Sequence, residues 1–514
     1  MKAYGTVYLV GAGPGDAGLL TLRGAELLAR AQVVVYDALV NPELLRLAPK
    51  EAEIIYGGKR SRAHAIPQGE LNQLLVAKAK TGKTVVRLKG GDPYLFGRGG
   101  EEAEELVAAK VPFEVVPGVS SIFAAPNYAG IPLTHREHCS GFTVITGHED
   151  PDKETSSIDY EHLAKLPGTK VVLMGVERIR EIAKRLVQEG LSAKTPVGMV
   201  RWGTTGRQQF IQGTLGTIAA VVEKAKFGSP AVTVIGSVVS LREKLNWFEK
   251  RPMFGQRIVV TRTREQASQL SRQLQERGAD VLEIPTIKIV PPENLENLKD
   301  ALLELGTYDW LVFTSPNGVT AFFDYLMKGF GDIRAVGNVR IAAIGPATAA
   351  KVKEMHLRVD VMPEEYLAAK VGDAIAKFET VENLKMLLLR AEVANPELPE
   401  KLNEMGAIVD DVACYRTVPE TDDLTGAAAR LLEEGADWVT FASSSSVENF
   451  HARFDLPKLL AKFPDLKTAS IGPETSKTLG KLGVTPTVEG KPHTIEGMLK
   501  AVEGFAKKRR PKNS

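Results

Sequence analysis

Two glycine-rich turns hold the residues whose types and spacing could do chemistry. "VYLVGAGPGD" (residues 7–16) runs from an apolar stretch into Gly11, Gly13 and Gly15, and "RLKGGDPYLFGRGGEE" (87–102) runs into Gly90, Gly91 and Asp92. Glycines behind a strand let backbone N–H groups approach a ligand that side chains would keep away. A dinucleotide site spaces its glycines G-x-G-x-x-G, and the third lets helix and strand pack closely. Asp16 stands at that third place here. A carboxylate there disfavours a pyrophosphate on the following helix, which the pattern places over 18–31. It fits either a different ligand or a plain helix cap. Asp37, behind "VVVY", sits where a dinucleotide fold keeps its ribose carboxylate, so an NAD-dependent enzyme using the 11–16 turn stays as a rival reading.

Basic residues gather in "GGKRSRAHAIPQGE" (57–70), where Lys59, Arg60, Arg62 and His64 fall in a loop ahead of a helix opened by Pro67. Arg98, His135 and Arg136 join them if they face the same cleft. An exposed ion pair contributes about 0–1 kcal/mol, whereas each partly buried charge-assisted hydrogen bond to a polycarboxylate ligand contributes about 1.5–3 kcal/mol. "THREHC" (134–139) offers His135, His138 and Cys139, but no second ligand pair stands at zinc-site spacing, so no metal is expected.

These residues need elements to position them. Strands predicted to end at Val10, Tyr36, Leu88 and Val116 alternate with helices, and in a parallel sheet the turns behind them leave by one edge. The glycines, Asp37, Asp92 and Ser120 would converge there. A charged stretch with proline and glycine, "NWFEKRPMFGQRIVVTR", then breaks the chain. The boundaries read as a first domain over 1–248, a linker over 249–256, a second domain over 257–506 and a basic tail over 507–514.

The second domain contains an internal repeat. "WLVFTSPNG" at Trp310 and "WVTFASSSS" at Trp438 stand 128 residues apart, and the same offset carries Arg262 onto Arg390, Gly278 onto Gly406, Ser315 onto Ser443 and Pro291 onto Pro419. "AIGPATA" and "SIGPETS" match at an offset of 127. Each half reads as an α/β unit with a Ser-rich turn and a Gly-Pro turn. The extended segments "VLEIPTIKIVPP" and "VDDVACYRTVPE" are longer than a strand requires and suit paired connectors between two lobes, with a cleft walled by the turns behind the strands.

With 514 residues, 44% hydrophobic and 25% charged, the chain can bury sizeable cores in roughly three or four compact units. A net charge of +2 gives no support to a general nucleic-acid binder. No apolar run approaches the roughly 18 residues of a membrane helix, and the N-terminus lacks a signal-peptide pattern. The only cysteines, Cys139 and Cys414, imply no disulfide framework and fit a cytoplasmic protein.

The strings "VYLVGAGPGDAGLLTLRG", "VVVYDALV", "GGKR", "VVRLKGGDPYLFGRGGEE", "VVPGVSS", "PLTHR", "TGH" and "SPAVTVIGSVV" resemble uroporphyrinogen-III C-methyltransferase over residues 5–245. "FTSPNGV", "IGPATA", "CYRT" and "IGPETS" resemble uroporphyrinogen-III synthase over 257–505. The first resemblance implies a two-lobed tetrapyrrole-methylase fold binding S-adenosylmethionine between its lobes, with Pro14 bordering it. It names Gly90, Gly91, Asp92, Leu95, Ser120, Ser121, Met174 and Gly203 as further contacts. It makes Asp37 a proton acceptor and Lys59 a proton donor, and Arg98 and Arg136 fit the acidic substrate. Asp16 reads as turn structure with a substrate-side role open. The second resemblance implies a two-lobed α/β fold in which Tyr415 assists hydroxyl departure, while Thr348 and Thr475 face each other across the cleft and hold substrate carboxylates. Together they imply an enzyme that cyclises hydroxymethylbilane to uroporphyrinogen III, then methylates it at carbons 2 and 7 to precorrin-2. They leave open a homodimer through the methyltransferase domain. A tetrapyrrole carrier or sensor with vestigial sites is the alternative outside catalysis.

Overall fold

The computed structural model describes residues 4–58, 66–148, 157–262, 264–365, 368–423 and 425–509. Lys59, Arg60, Arg62 and His64 lie outside the described residues. The first sheet is built from β1 (Val7–Gly11), β2 (Val33–Tyr36), β3 (Glu53–Tyr56), β4 (Val85–Lys89) and β5 (Phe113–Val116), all parallel, in the order β3-β2-β4-β1-β5. Its inner strands are β-branched runs buried on both faces, as a doubly covered parallel sheet requires. Val10, Val34 and Leu88 pack under Leu27 and Leu28 on one face, while Val7, Leu9, Val33 and Val85 pack under Leu71, Leu75 and Leu106 on the other. Each of these fully buried side chains contributes about 1.5–3 kcal/mol.

The helix expected over 18–31 is instead two short pieces, a 3₁₀ turn Ala17–Leu19 and an α-helix Leu22–Leu28. Two residues five apart, Asp16 and Thr21, each start a helical piece. Asp16 caps the first piece by accepting from the Gly18 N–H at 2.8 Å, and Thr21 caps the second by accepting from Gly24 at 3.1 Å.

A second sheet follows, from β6 (Phe142–Thr146), β7 (Thr169–Leu173), β8 (Pro196–Arg201), β9 (Gln209–Thr214) and β10 (Ala231–Ile235), in the order β6-β7-β10-β8-β9. Both β7 and β8 run antiparallel to β10 and so parallel to each other. The loops behind them, at Met174 and at Trp202–Thr205, therefore leave by the same edge. Residues 249–256 are packed rather than a free tether: Met253 is fully buried against Ile258, Leu270 and Leu274, and Glu249 pairs with Arg242. The last helix, Ile495–Arg509, runs into the residues read as a tail. Among the described residues no helix is long and apolar enough to cross a membrane.

The remaining strands are β11 (Arg257–Val260), β12 (Asp280–Glu283), β13 (Ile287–Val290), β14 (Trp310–Phe313), β15 (Arg340–Ala343), β16 (Lys385–Ala391), β17 (Ile408–Pro419), β18 (Trp438–Phe441), β19 (Lys467–Ser470) and β20 (Val488–Glu489). They form two sheets, β12-β11-β18-β19-β20 and β13-β17-β16-β14-β15. The sequence repeat places β11, β12, β14 and β15 on β16, β17, β18 and β19. Each sheet thus takes one strand pair from each repeat: the repeats are exchanged between the lobes rather than forming one lobe apiece. The extended segments carry the exchange. They pair antiparallel, from Ile287 opposite Pro419 to Val290 opposite Arg416, as the connectors between lobes.

The turns behind β1, β4 and β5 meet backbone to backbone. A Cβ on Gly118 would lie 2.2 Å from the Gly91 carbonyl oxygen and 2.7 Å from the Gly11 Cα, so no side chain fits. Gly118→Ala should lower first-domain stability by about 1–3 kcal/mol through overpacking. A urea midpoint equal to that of the unmutated protein would show that these turns separate at no cost.

Candidate functional site

The first site is a ledge of main chain. The Gly13 N–H donates to the Gly91 carbonyl at 3.3 Å, and the Gly91 N–H returns a bond to Gly13 at 2.7 Å, which joins the two glycine turns directly. Asp92 ties in the third turn, since Oδ2 accepts from the Gly118 N–H at 3.0 Å and Oδ1 from Tyr94 at 2.9 Å. Ser120 caps the helix Ser121–Tyr128, accepting from Ile122 at 3.3 Å. From the second sheet, Thr204 Oγ1 accepts from the Asp16 N–H at 3.0 Å, which brings the Gly203 loop onto the first turn. The structure thus joins Pro14, Gly90, Gly91, Asp92, Ser120, Ser121 and Gly203 in one constellation. Leu95 and Met174 are exposed, 39% and 46%, and Met174 projects from a left-handed backbone (φ 53°) at the same sheet edge as Gly203.

Asp37 sits behind β2 with its side chain 30% exposed, and Arg87 Nη2 donates to its Oδ1 at 2.5 Å. Behind Arg87 lies a fully buried carboxylate, Glu102. Its Oε1 accepts from Arg87 Nε at 3.1 Å, Lys89 Nζ at 2.8 Å and Gln68 Nε2 at 3.1 Å. Two cations and two anions close the set. Burial, then the neighbouring Arg87 charge, hold the Lys89 ammonium below its ordinary pKa. Sequence reasoning missed Arg87, Lys89 and Glu102, although a signal was present. Two cations at alternate positions in the buried strand "VVRLK" demand a buried counter-charge, because an unpaired one costs about 3–5 kcal/mol.

Asp16 is held in place as turn structure, its Oδ2 accepting from the Tyr128 hydroxyl at 2.8 Å. Arg98 lies on the loop behind β4 with its guanidinium gripped by Glu101 at 2.7 Å, and Arg136 is exposed in the segment before β6. Among the described residues neither arginine's side chain hydrogen-bonds to Gly11–Asp16 or Gly90–Asp92. His138 Nδ1 is 3.0 Å from Ser237 Oγ, and Cys139 Sγ is 3.2 Å from Thr169 Oγ1. Lys59 falls outside the described residues.

In the second domain Tyr415 lies in β17, 7% exposed, with its hydroxyl 2.9 Å from Ser315 Oγ. Burial raises the phenol's pKa, so it remains a protonated donor. Ser315 is itself fixed, since its Oγ accepts from the Gly318 N–H at 3.0 Å as the cap of the helix Pro316–Phe330. Thr348 and Thr475 correct the expectation of side chains open to the cleft. They are 2% and 3% exposed. Helical periodicity places Thr348 on the buried face with Val352, and Thr475 on that of Thr478 and Leu479. The caps of these helices are Gly345 and Gly472.

Residues 6–219 match the family model for tetrapyrrole (corrin/porphyrin) methylases, and 268–500 match that for uroporphyrinogen-III synthase HemD. The chain is 39% identical over 497 residues to the porphyrin biosynthesis protein HemD of Ruminiclostridium josui, covering 96% of this chain and 97% of that one. It is 40% identical over 381 residues to the uroporphyrinogen-III C-methyltransferase of Bacillus subtilis, covering 74% and 77%. It is 53% identical over 242 residues to an S-adenosyl-L-methionine-dependent uroporphyrinogen III methyltransferase of Methanosarcina barkeri, covering 47% of this chain and 95% of the relative. The chain belongs to the porphyrin-biosynthesis family in which a tetrapyrrole methylase is continuous with a HemD-type uroporphyrinogen-III synthase.

Proposed function

We propose that the second domain closes hydroxymethylbilane to uroporphyrinogen III and that the first methylates this product twice, at carbons 2 and 7, to precorrin-2. The observation that carries the reading is the meeting, main chain to main chain, of three glycine-bearing turns beside a half-exposed aspartate pinned by a buried arginine. Turns packed main chain to main chain at Gly11 and Gly118 leave open space at Gly91, where a Cβ would meet nothing nearer than 3.9 Å. This fits a ligand read through main-chain groups, so Pro14, Gly90, Gly91, Ser120 and Gly203 would hold S-adenosylmethionine, with Leu95, Met174 and Ser121 at its border. When bound, S-adenosylmethionine supplies an electrophilic methyl group to a nucleophilic pyrrole carbon. The chain's own work is chiefly to position the two reactants, which lowers the barrier more than proton transfer does. Asp37 takes the proton that the substrate loses in returning to a neutral product, and Arg87 and Glu102 fix where that carboxylate points. Lys59 is assigned as proton donor from the resemblance. Arg98 and Arg136 are assigned to the substrate's carboxylates.

For ring closure, Tyr415 donates a hydrogen bond to the departing hydroxyl, and Ser315 orients the phenol. Thr348 and Thr475 act through backbone N–H groups in the first turns of their helices, where amides lack intrahelical partners. We place the protein in the cytoplasm, on the support of its two unpaired cysteines.

The test is to give the protein fresh hydroxymethylbilane anaerobically, with and without S-adenosylmethionine. Type III isomer alone without the donor, and a species two methyl groups heavier with it, are the expected products. Type I isomer with no mass gain would leave a carrier in place of an enzyme. Asp37→Asn should slow methylation by about 10²–10⁴ while ring closure persists. Parallel loss of both would mean that the mutation acts on folding. Tyr415→Phe should slow ring closure and leave methylation of supplied uroporphyrinogen III intact, whereas unchanged ring closure would remove the phenol from the mechanism.

A further inference from the structure

The turn at Gly15–Asp16 is gripped from two sides, and both grips lean on the second domain. On one side is the loop Trp202–Gln208. Its Thr204 hydroxyl holds the Asp16 N–H at 3.0 Å, and Gln208 holds the Thr204 N–H at 3.0 Å. Trp202 and Thr204 have φ of 49° and 71°, a left-handed backbone that non-glycine residues adopt only when their surroundings impose it. Part of those surroundings is the start of β12. A Cβ on Gly206 would lie 2.1 Å from the Ala279 carbonyl carbon and 2.2 Å from the Asp280 nitrogen, so the loop and the strand touch main chain to main chain. On the other side, Asn41 Nδ2 donates to the Gly15 carbonyl at 2.8 Å and its Oδ1 caps the turn Pro42–Leu47. That turn is anchored by Arg46, whose Nη1 donates to Glu283 Oε1 at 3.2 Å, and by Glu43, which accepts from Gln275. Glu283 ends β12 and its side chain is 5% exposed.

We propose that β12 of the synthase domain is a positioning element for the methyl-donor site of the methylase domain, acting through Gly206 and the Arg46–Glu283 pair. This rests on the reading of the glycine ledge as the donor site. Neither Gly206 nor Arg46 touches the donor in that reading, so their effect travels through Thr204 and Asn41 to the turn at Gly15–Asp16. The two activities are then joined in one chain for a structural reason as well as for supply of product.

The experiment uses the full chain, with S-adenosylhomocysteine binding followed by calorimetry and both activities assayed on each variant. Gly206→Ala should weaken binding, and raise the donor KM, by about tenfold, equivalent to about 1.4 kcal/mol. Methylation kcat at saturating donor and the rate of ring closure should stay within about twofold, a shift of under about 0.5 kcal/mol. Arg46→Gln, which demands no backbone movement, should shift donor affinity in the same direction by a smaller factor and keeps the proposal testable if Gly206→Ala does not fold. Unchanged donor affinity in Arg46→Gln, or a loss of donor affinity matched by equal losses of kcat and ring closure, would overturn it. If the unmutated chain fails to bind S-adenosylhomocysteine, the donor-site reading itself falls and takes this inference with it.

Discussion

The first site depends on one constraint: the turns behind β1, β4 and β5 approach until no Cβ fits between them. That contact cannot hold itself together. Each pair of non-bonded atoms gains only about 0.1–0.2 kcal/mol, and the bridging hydrogen bonds are few. Most of the stabilisation comes from the parallel sheet beneath, whose fully buried valines and leucines fix where each strand ends. Asp92 then joins the third turn to the second through the Gly118 N–H. The apolar core, rather than any group at the site, therefore decides where the main-chain donors point.

The two proposed active sites treat buried polarity in opposite ways. Beside Asp37, four charges close into a network in which Glu102 is fully enclosed. Such a network is stiff because every displacement exposes an unpaired charge to a low-dielectric interior. Tyr415 sits in a hydrophobic cluster with its hydroxyl on Ser315, where desolvation keeps the phenol protonated and no counter-charge is required. The first arrangement suits a carboxylate whose direction must be fixed. The second suits a hydrogen-bond donor to a neutral leaving group.

Much of this was legible in the sequence, for identifiable reasons. Inner strands such as "VVVY" are apolar throughout, and the turns behind them are marked by glycine, so the strands and their shared edge could be read directly. The repeat was visible because Ser315 and Ser443, and Gly278 and Gly406, answer the same local geometry in both halves. The caps of Asp16 and Thr21 were harder to weigh, since two good caps five residues apart give no sign of which one starts the helix. Glu102 was hidden in an acidic run of four carboxylates on one helix, where only the fold shows which of them turns inward. The burial of Thr348 and Thr475 depended on helix phase against the neighbouring sheet, which local sequence does not specify. Exchange of strands between lobes lay further out of reach, because a repeat reports similarity and not which copy pairs with which.

That exchange bears on how the two domains work together. The sheet of β11, β12 and β18–β20 abuts the methylase domain through β12, whereas the sheet of β14–β17 is joined to it by the antiparallel connectors. Tyr415 and Ser315 both belong to the distal sheet and its helix, and Thr475 belongs to the docked one. A change of angle between the lobes, of the hinge kind that closes other two-lobed enzymes on their ligands, can therefore move the distal lobe and leave β12 where it stands. The docked lobe meets the methylase domain at β12, through Gly206 and Arg46. Closure over a linear tetrapyrrole can then proceed without disturbing the glycine ledge on the other side of β12.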